Sequence, residues 1–219
     1  MTDPRFQPAY LLSDAARYLR MSPSTMGDWL RADAPVTLLP PSEGRYLSFE
    51  NLVEIHAMLA LRAEGFSMQK VRKAIATLRS LNGGSDIEYP FASRRLLMDK
   101  SSIYLEKFGE LISLTEPRQL AMERILRQFL ERVDFAPDDL AERFYPFTSP
   151  VRGDDAPRRI MIDPRVSFGA PVIRGSGVKT AIVVAQFRAG DKVEDIAEAY
   201  GRTTEEIQEA IRCEMPEAA

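Results

Sequence analysis

The sequence predicts a mainly helical α+β fold, and three observations carry that reading. Apolar residues recur at helical spacing through most of the longer segments. The strand-like runs are short and bounded by Pro, Gly and Ser. Two stretches without an apolar period, Leu81–Asp86 and Pro150–Pro157, divide the chain. The expected units are residues 1–82, 83–150 and 157–219: a helical head, a small mixed α/β module that links or oligomerises, and a C-terminal β-hairpin followed by three helices. At 219 residues the chain is long enough for each unit to bury a core.

The head is organised by Tyr10 to Trp29. Ser13 is the expected cap of a first short helix whose apolar face is Ala15, Ala16 and Leu19. Ser22 is the expected cap of a second, with Pro23 in its first turn, where a missing N–H costs nothing. Only Arg20 to Ser22 separate the two, which forces a sharp crossing. That is the helix-turn-helix arrangement, whose second helix enters the DNA major groove. On that helix Met26, Trp29 and Leu30 turn inward and Ser24, Thr25, Asp28 and Arg31 outward. Small hydroxyl side chains with one Arg suit base edges and phosphates. The plain alternative is a helical hairpin with a polar outer face.

Beyond it, Val36–Leu39 and Arg45–Phe49 flank a Pro/Ser/Gly turn and read as a hairpin wing. Glu50 to Ala63 carries a helical stripe of Leu52, Ile55, Leu59 and Ala63. Gly65-Phe66-Ser67 breaks it, and Ser67 is placed to cap a helix with Val71, Ala74, Ile75 and Leu78 inward. This order, with Arg45-Tyr46-Leu47-Ser48-Phe49-Glu50-Asn51-Leu52 and Leu61-Arg62-Ala63-Glu64-Gly65-Phe66-Ser67-Met68-Gln69-Lys70-Val71, resembles the MerR-type winged helix-turn-helix over residues 10 to 80. The resemblance implies that the Pro23–Trp29 helix reads double-stranded operator DNA while Arg45 and Tyr46 on the wing touch its backbone. The implied contact set is Ser22, Ser24, Thr25, Asp28, Arg31, Arg45 and Tyr46. The long dimerisation helix of MerR regulators does not follow.

In the middle unit Tyr89–Phe91, Arg95–Asp99, Ile103–Leu105 and Gly109–Leu114 read as strands, Arg118–Val133 as a helix and Arg143–Phe147 as another strand. None carries recognisable chemistry. His56 is the only histidine, which excludes imidazole-based metal clusters and a Ser-His-Asp arrangement of the usual kind. No glycine-rich phosphate loop is present, so no enzyme activity, cofactor or metal is expected. The single Cys213 cannot form an internal disulfide, and no run approaches a membrane span. A cytoplasmic location is the expectation. Net charge is −3, but its thirds differ: residues 1–80 hold 10 Lys/Arg against 8 Asp/Glu, 81–150 hold 9 against 12, and 151–219 hold 10 against 12. The only positive third is the one with the proposed reader. Its excess is small, so a homodimer or larger assembly is expected to supply DNA affinity.

The C-terminal unit opens with Arg159–Val166, a short strand ended by a turn, and Gly169–Val178, a second strand with Gly175 and Gly177 marking a tight bend. Helices Thr180–Ala189, Val193–Tyr200 and Thr204–Cys213 follow, with Gly190 and Gly201 as stops. Asp191 with Glu194, and Thr203 with Glu206, have capping-box spacing. Ile162-Asp163-Pro164, Gly169-Ala170-Pro171-Val172-Ile173-Arg174-Gly175 and the Ala189-Gly190 helix end resemble the domain of unknown function 433 over about residues 158 to 214. Where that family commonly has Thr-Arg-Ile-Pro, this chain has Ser176-Gly177-Val178-Lys179. Joined to a MerR-like head, this domain resembles one group of VapB-type antitoxins. That resemblance implies a PIN-like ribonuclease toxin as partner, with Arg174, Ile173 and Lys179 as candidate contacts. A guanidinium suits the acidic, metal-binding cleft of such a nuclease. The last helix carries Glu205, Glu206 and Glu209 against Arg212, so it is assigned to protein rather than DNA. The alternative reading is a MerR-like transcriptional regulator that responds to a small-molecule effector.

Overall fold

The computed structural model describes residues 3–30, 46–81, 89–94, 110, 121, 124–126, 128–129, 131–148 and 156–215. A 3₁₀ turn at Pro4–Phe6 leads into β1 (Tyr10–Leu11), α1 (Leu12–Tyr18), α2 (Pro23–Trp29), β2 (Tyr46–Leu47), α3 (Phe49–Ala63) and α4 (Met68–Leu81). A 3₁₀ turn at Pro90–Ala92, β3 (Val133–Phe135) and β4 (Ala141–Phe144) follow. The C-terminal part is β5 (Ile160–Met161), a 3₁₀ turn at Ser167–Gly169, β6 (Val172–Ile173), α5 (Thr180–Ala189), α6 (Val193–Tyr200) and α7 (Thr204–Glu214). The protein is a mainly helical α+β fold whose strands pair antiparallel as β1–β2, β3–β4 and β5–β6.

The head keeps the expected helix order but enters it differently. Tyr10 pairs with Leu47 and Leu11 with Tyr46, so the second wing run lies beside a strand ahead of α1. Its expected partner, Val36–Leu39, lies outside the described residues. The chain passes from that ladder straight into α1 at Leu12, so Leu11 is the N-cap and Ser13 falls inside the helix. Ser22 does cap α2, its Oγ accepting from the Thr25 N–H at 3.1 Å.

Helix α3 is the centre of the fold. Every residue from Phe49 to Met58 is buried, where a one-sided stripe was expected. The two N-terminal-side 3₁₀ turns, α4 and β4 surround it. Enclosure on all faces obliges its polar groups to find partners. Ser48 and Asn51 form a reciprocal capping box, at 3.2 and 3.0 Å. Glu54 Oε1 accepts from the N–H groups of Phe91 at 2.6 Å and Ala92 at 3.3 Å. That capture, beside a Pro90 that has no N–H, is why Tyr89–Phe91 turns rather than forming the expected strand. The His56 ring lies 4.7 Å from those of Phe129 and Phe144 and 5.4 Å from Phe147. Glu50 departs from this most: it is 0% exposed and neither carboxyl oxygen has a hydrogen-bond partner among the described residues. Burial pushes its carboxyl up to about 9, opposed only in part by Arg5. Arg5 itself forks onto Asp3 and Asp138, at 2.6 and 2.5 Å, and ties the N-terminus to the β3–β4 turn.

The middle region departs most from expectation. The described residues between 121 and 129 are helical, but Val133 already belongs to β3, paired with Phe144. The strand placed at Arg143–Phe147 occupies Ala141–Phe144 instead. Glu110, the one described residue of the expected Gly109–Leu114 strand, is helical. Arg95–Asp99, Ile103–Leu105, Asn82–Asp86 and 150–155 lie outside the described residues. After β4 the backbone leaves the ladder because its carbonyls are claimed by arginines. Arg132, 2% exposed, donates to the carbonyls of Tyr145 (2.9 Å), Pro146 (3.0 Å), Ala156 (2.8 Å) and Pro157 (3.0 Å). Burial, helped by the like charge of Arg158 and opposed in part by Glu209, lowers that guanidinium to about 10.

One apolar core joins Tyr10, Trp29, Leu52, Phe91, Phe129 and Phe144 to Ile162. A second, of Ile160, Ile173, Val183, Ile196, Ile207 and Cys213, belongs to the C-terminal part, and Tyr18 packs against both. Thr203 and Glu206 form the expected capping box, whereas α6 starts from Lys192 with no side-chain cap, so Asp191 does not serve there. Gly190 and Gly201 close α5 and α6 in the left-handed region.

Two expectations follow. Replacing Arg132 by Met strands four carbonyls, three of them buried, and is expected to cost roughly 3 kcal/mol or more in urea unfolding, with Lys recovering only part of the loss. Glu50 has a folded pKa above its unfolded one, so its contribution is fullest below about pH 4.5 and is lost as pH rises toward 9. Glu50→Gln is therefore expected to be increasingly more stable than wild type from pH 5 to 9, by up to about 1.4 kcal/mol per pH unit. A constant difference across that range would contradict the assignment.

Candidate nucleic-acid interface

The reading helix is short because its ends are fixed. Ser22 and Pro23 start α2, and Leu30 ends it after Trp29. Met26 is 0% and Trp29 5% exposed, so the inward face packs on the core as the spacing required. Ser22, Ser24 and Asp28 are exposed and Thr25 is half-buried. The three hydroxyls form one cluster, with Ser22 Oγ 3.0 Å from Ser24 Oγ and 2.8 Å from Thr25 Oγ1. A Cβ built at Gly27 would meet nothing within 4 Å, so no neighbour in the fold requires glycine in this helix. Tyr46 is 44% exposed on β2, which packs against α1. Arg31 and Arg45 lie outside the described residues.

Cations absent from the expected contact set stand close to this helix. The guanidiniums of Arg62 and Arg72 lie 5.5 and 5.8 Å from the Trp29 ring centroid. Their placement around the single Trp is a tertiary fact, since they lie on two separate helices. The turn itself depends on Arg20, which adopts φ 52° in the left-handed region. Its Nε donates to the Phe147 carbonyl at 2.8 Å, and its Nη2 to those of Thr148 and of Arg212.

The C-terminal candidates are brought to one turn but not to one role. Ile173 is 0% exposed and belongs to the C-terminal core, so its side chain offers a partner no surface; both residues of β6 are buried. Lys179, half-buried, is the N-cap residue of α5. Arg174 is exposed, its guanidinium 5.4 Å from the Tyr145 ring centroid. Tyr145 in turn donates from its hydroxyl to Asp134 Oδ2 at 2.6 Å. The exposed apolar residues of the C-terminal part were not expected. Phe168 is 94% exposed at φ 59°, and Ile182 and Phe187 on α5 are 46% and 38% exposed. Gly169 follows at φ 78°, where a Cβ would sit 2.3 Å from Tyr10 Oη. The close approach of this loop to β1 therefore requires glycine. Glu194, Asp195, Glu198 and Glu205 are exposed on α6 and α7. No group of three His, Cys, Asp or Glu able to hold a metal occurs among the described residues. Among those residues no helix is long and apolar enough to cross a membrane.

Comparison with known proteins finds a family match toward each end of the chain. Residues 10–78 match the family described as MerR HTH family regulatory protein, and residues 160–212 match protein of unknown function (DUF433). The chain is 29% identical to "Putative antitoxin VapB45" of Mycobacterium tuberculosis, over 93% of this chain and 92% of that one. It is also similar to the crystal structure of Rv2018 from Mycobacterium tuberculosis, with a TM-score of 0.69 and 28% identity, covering 94% of this chain and 99% of that chain. The protein thus carries a MerR-type helix-turn-helix domain at its N-terminus and a DUF433 domain at its C-terminus, and along nearly its whole length it is similar to an antitoxin of the VapB type.

Proposed function

We propose that this chain is the non-enzymatic antitoxin of a toxin–antitoxin pair, binding a PIN-like ribonuclease through its C-terminal domain and operator DNA through α2. The observation that carries the reading is the end-to-end similarity to a VapB-type antitoxin, in a chain that has a helix-turn-helix at one end. The surface chemistry supports it. The exposed face of α2 bears hydroxyls rather than a carboxylate row, with Arg62 and Arg72 beside it. The C-terminal domain instead shows exposed aromatic residues and acidic helices, which phosphate repels and a protein surface accepts.

Ser22, Ser24, Thr25, Asp28 and Arg31 then face the major groove, and Arg45 and Tyr46 the backbone. A homodimer would present two reading helices to half-sites roughly 34–36 Å apart. Arg174 reaches from the C-terminal domain toward the nuclease, and Lys179 adds charge beside it. The direct test is co-expression with a PIN-like ribonuclease: the chain should co-purify with it and suppress its RNA cleavage. Free nuclease activity in an equimolar mixture would refute the reading.

Two outcomes are expected from substitutions. Arg45→Ala should weaken binding to all duplexes and lower the salt slope by about one, whereas Thr25→Ala should change preference between sequences. Electrophoretic mobility shifts at several salt concentrations distinguish the two. Arg174→Ala should weaken nuclease inhibition by roughly tenfold while leaving operator affinity unchanged. Equal loss of both activities would remove Arg174 from the partner site.

A further inference from the structure

A cavity of about 400 Å³ opens directly behind the reading head. It lies between the end of α1, the second half of α3 and the segment carrying Phe129 and Phe147. Its volume falls within the range of roughly 300–1,000 Å³ for small-molecule sites, many times the size of a void that holds one water. The walls are apolar, with Leu19, Leu59, Ala60, Ile125, Phe129 and Phe147 among them. Among the described residues three side chains of fixed charge line it: Arg20, Arg62 and Glu64.

The two cations differ in what they have left to offer. Arg20 spends Nε and Nη2 on backbone carbonyls, and its Nη1 makes none of those bonds. Arg62 rests against Trp29 and has no carboxylate partner among the described residues. An apolar chamber with two guanidiniums against one carboxylate is complementary to a ligand with an apolar body and one negative charge. Arg62 and Glu64 are exposed at the rim of the chamber, where a planar carboxylate can pair bidentately with the guanidinium while its apolar body enters the chamber.

We propose that this cavity binds a small apolar carboxylate, its body against Leu59, Ala60, Phe129 and Phe147 and its charge at Arg62. The site does not require the antitoxin reading, since it uses neither the C-terminal surface nor the outer face of α2, but Arg62 belongs both to its lining and to the cations beside α2. It does touch the reader from behind: Tyr18, Leu19 and Arg20 run into the turn before α2, and Arg62 also contacts Trp29.

The test is calorimetric titration of the full chain with 1-naphthoate, and with the neutral 1-naphthamide as its counterpart. Saturable binding of naphthoate at one site per chain is expected. Arg62→Gln should weaken naphthoate by about tenfold, the scale of one charge-assisted hydrogen bond, and change naphthamide less than twofold. Ala60→Phe, which fills the chamber, should abolish both. Ala63→Phe, at an exposed lining position, does the same work should the first variant fail to fold. The proposal is overturned if naphthoate does not saturate a single site, if a folded cavity-filling variant binds as wild type does, or if Arg62→Gln weakens both compounds alike.

Discussion

Four successive carbonyls, those of Tyr145, Pro146, Phe147 and Thr148, are taken by two guanidiniums, and the arrangement of the whole chain rests on that stretch. Arg132 holds the first two from within the core, and Arg20 holds the last two from the turn of the helix-turn-helix. A strand edge left in this state would need a neighbour for every carbonyl. Here a planar fork with several donors replaces that neighbour, because each arginine serves more than one carbonyl at once. Arg132 continues to Ala156 and Pro157, and Arg20 to Arg212, so the same pair also anchors the C-terminal part.

The consequence is that head and tail are in direct contact. Arg17 of α1 pairs with Glu214 of α7 at 3.1 Å, and Thr148 donates to Glu209 on the same helix. Gly169 meets Tyr10 from the other side of the C-terminal core. The surfaces proposed for DNA and for a protein partner therefore belong to one packed body rather than to units joined only by linkers. Arg174 illustrates the point: it rests on Tyr145, the first residue of the carbonyl stretch.

Enclosing α3 imposes a second constraint. A helix with a buried Ser48–Asn51 box, a buried Glu54 that caps a neighbouring turn and a buried, unpartnered Glu50 is polar where most central helices are apolar. Partnered groups specify how the turns dock on it, since each has only one arrangement that satisfies it. Glu50 makes no such bond and avoids the cost of a buried charge by staying protonated through neutral pH.

Local chemistry by itself determined the helix-turn-helix, the Ser22 cap with Pro23, the inward Met26 and Trp29, the Thr203–Glu206 box and the glycine stops, because each is settled within a few residues of backbone. The two family resemblances were legible for the same reason: they reside in contiguous motifs. Tertiary structure decided everything that needed a distant partner. Tyr10–Leu11 became a strand because Tyr46–Leu47 came beside it, and Tyr89–Phe91 became a turn because Glu54 reached its N–H groups. Arg62 and Arg72 met at Trp29 only once three helices had packed. Ile173, which the antitoxin resemblance offered as a partner contact, is buried in the C-terminal core against Val183, Ile196 and Ile207. Sequence periodicity records which side of an element is apolar, but only the packed fold determines how many sides are covered.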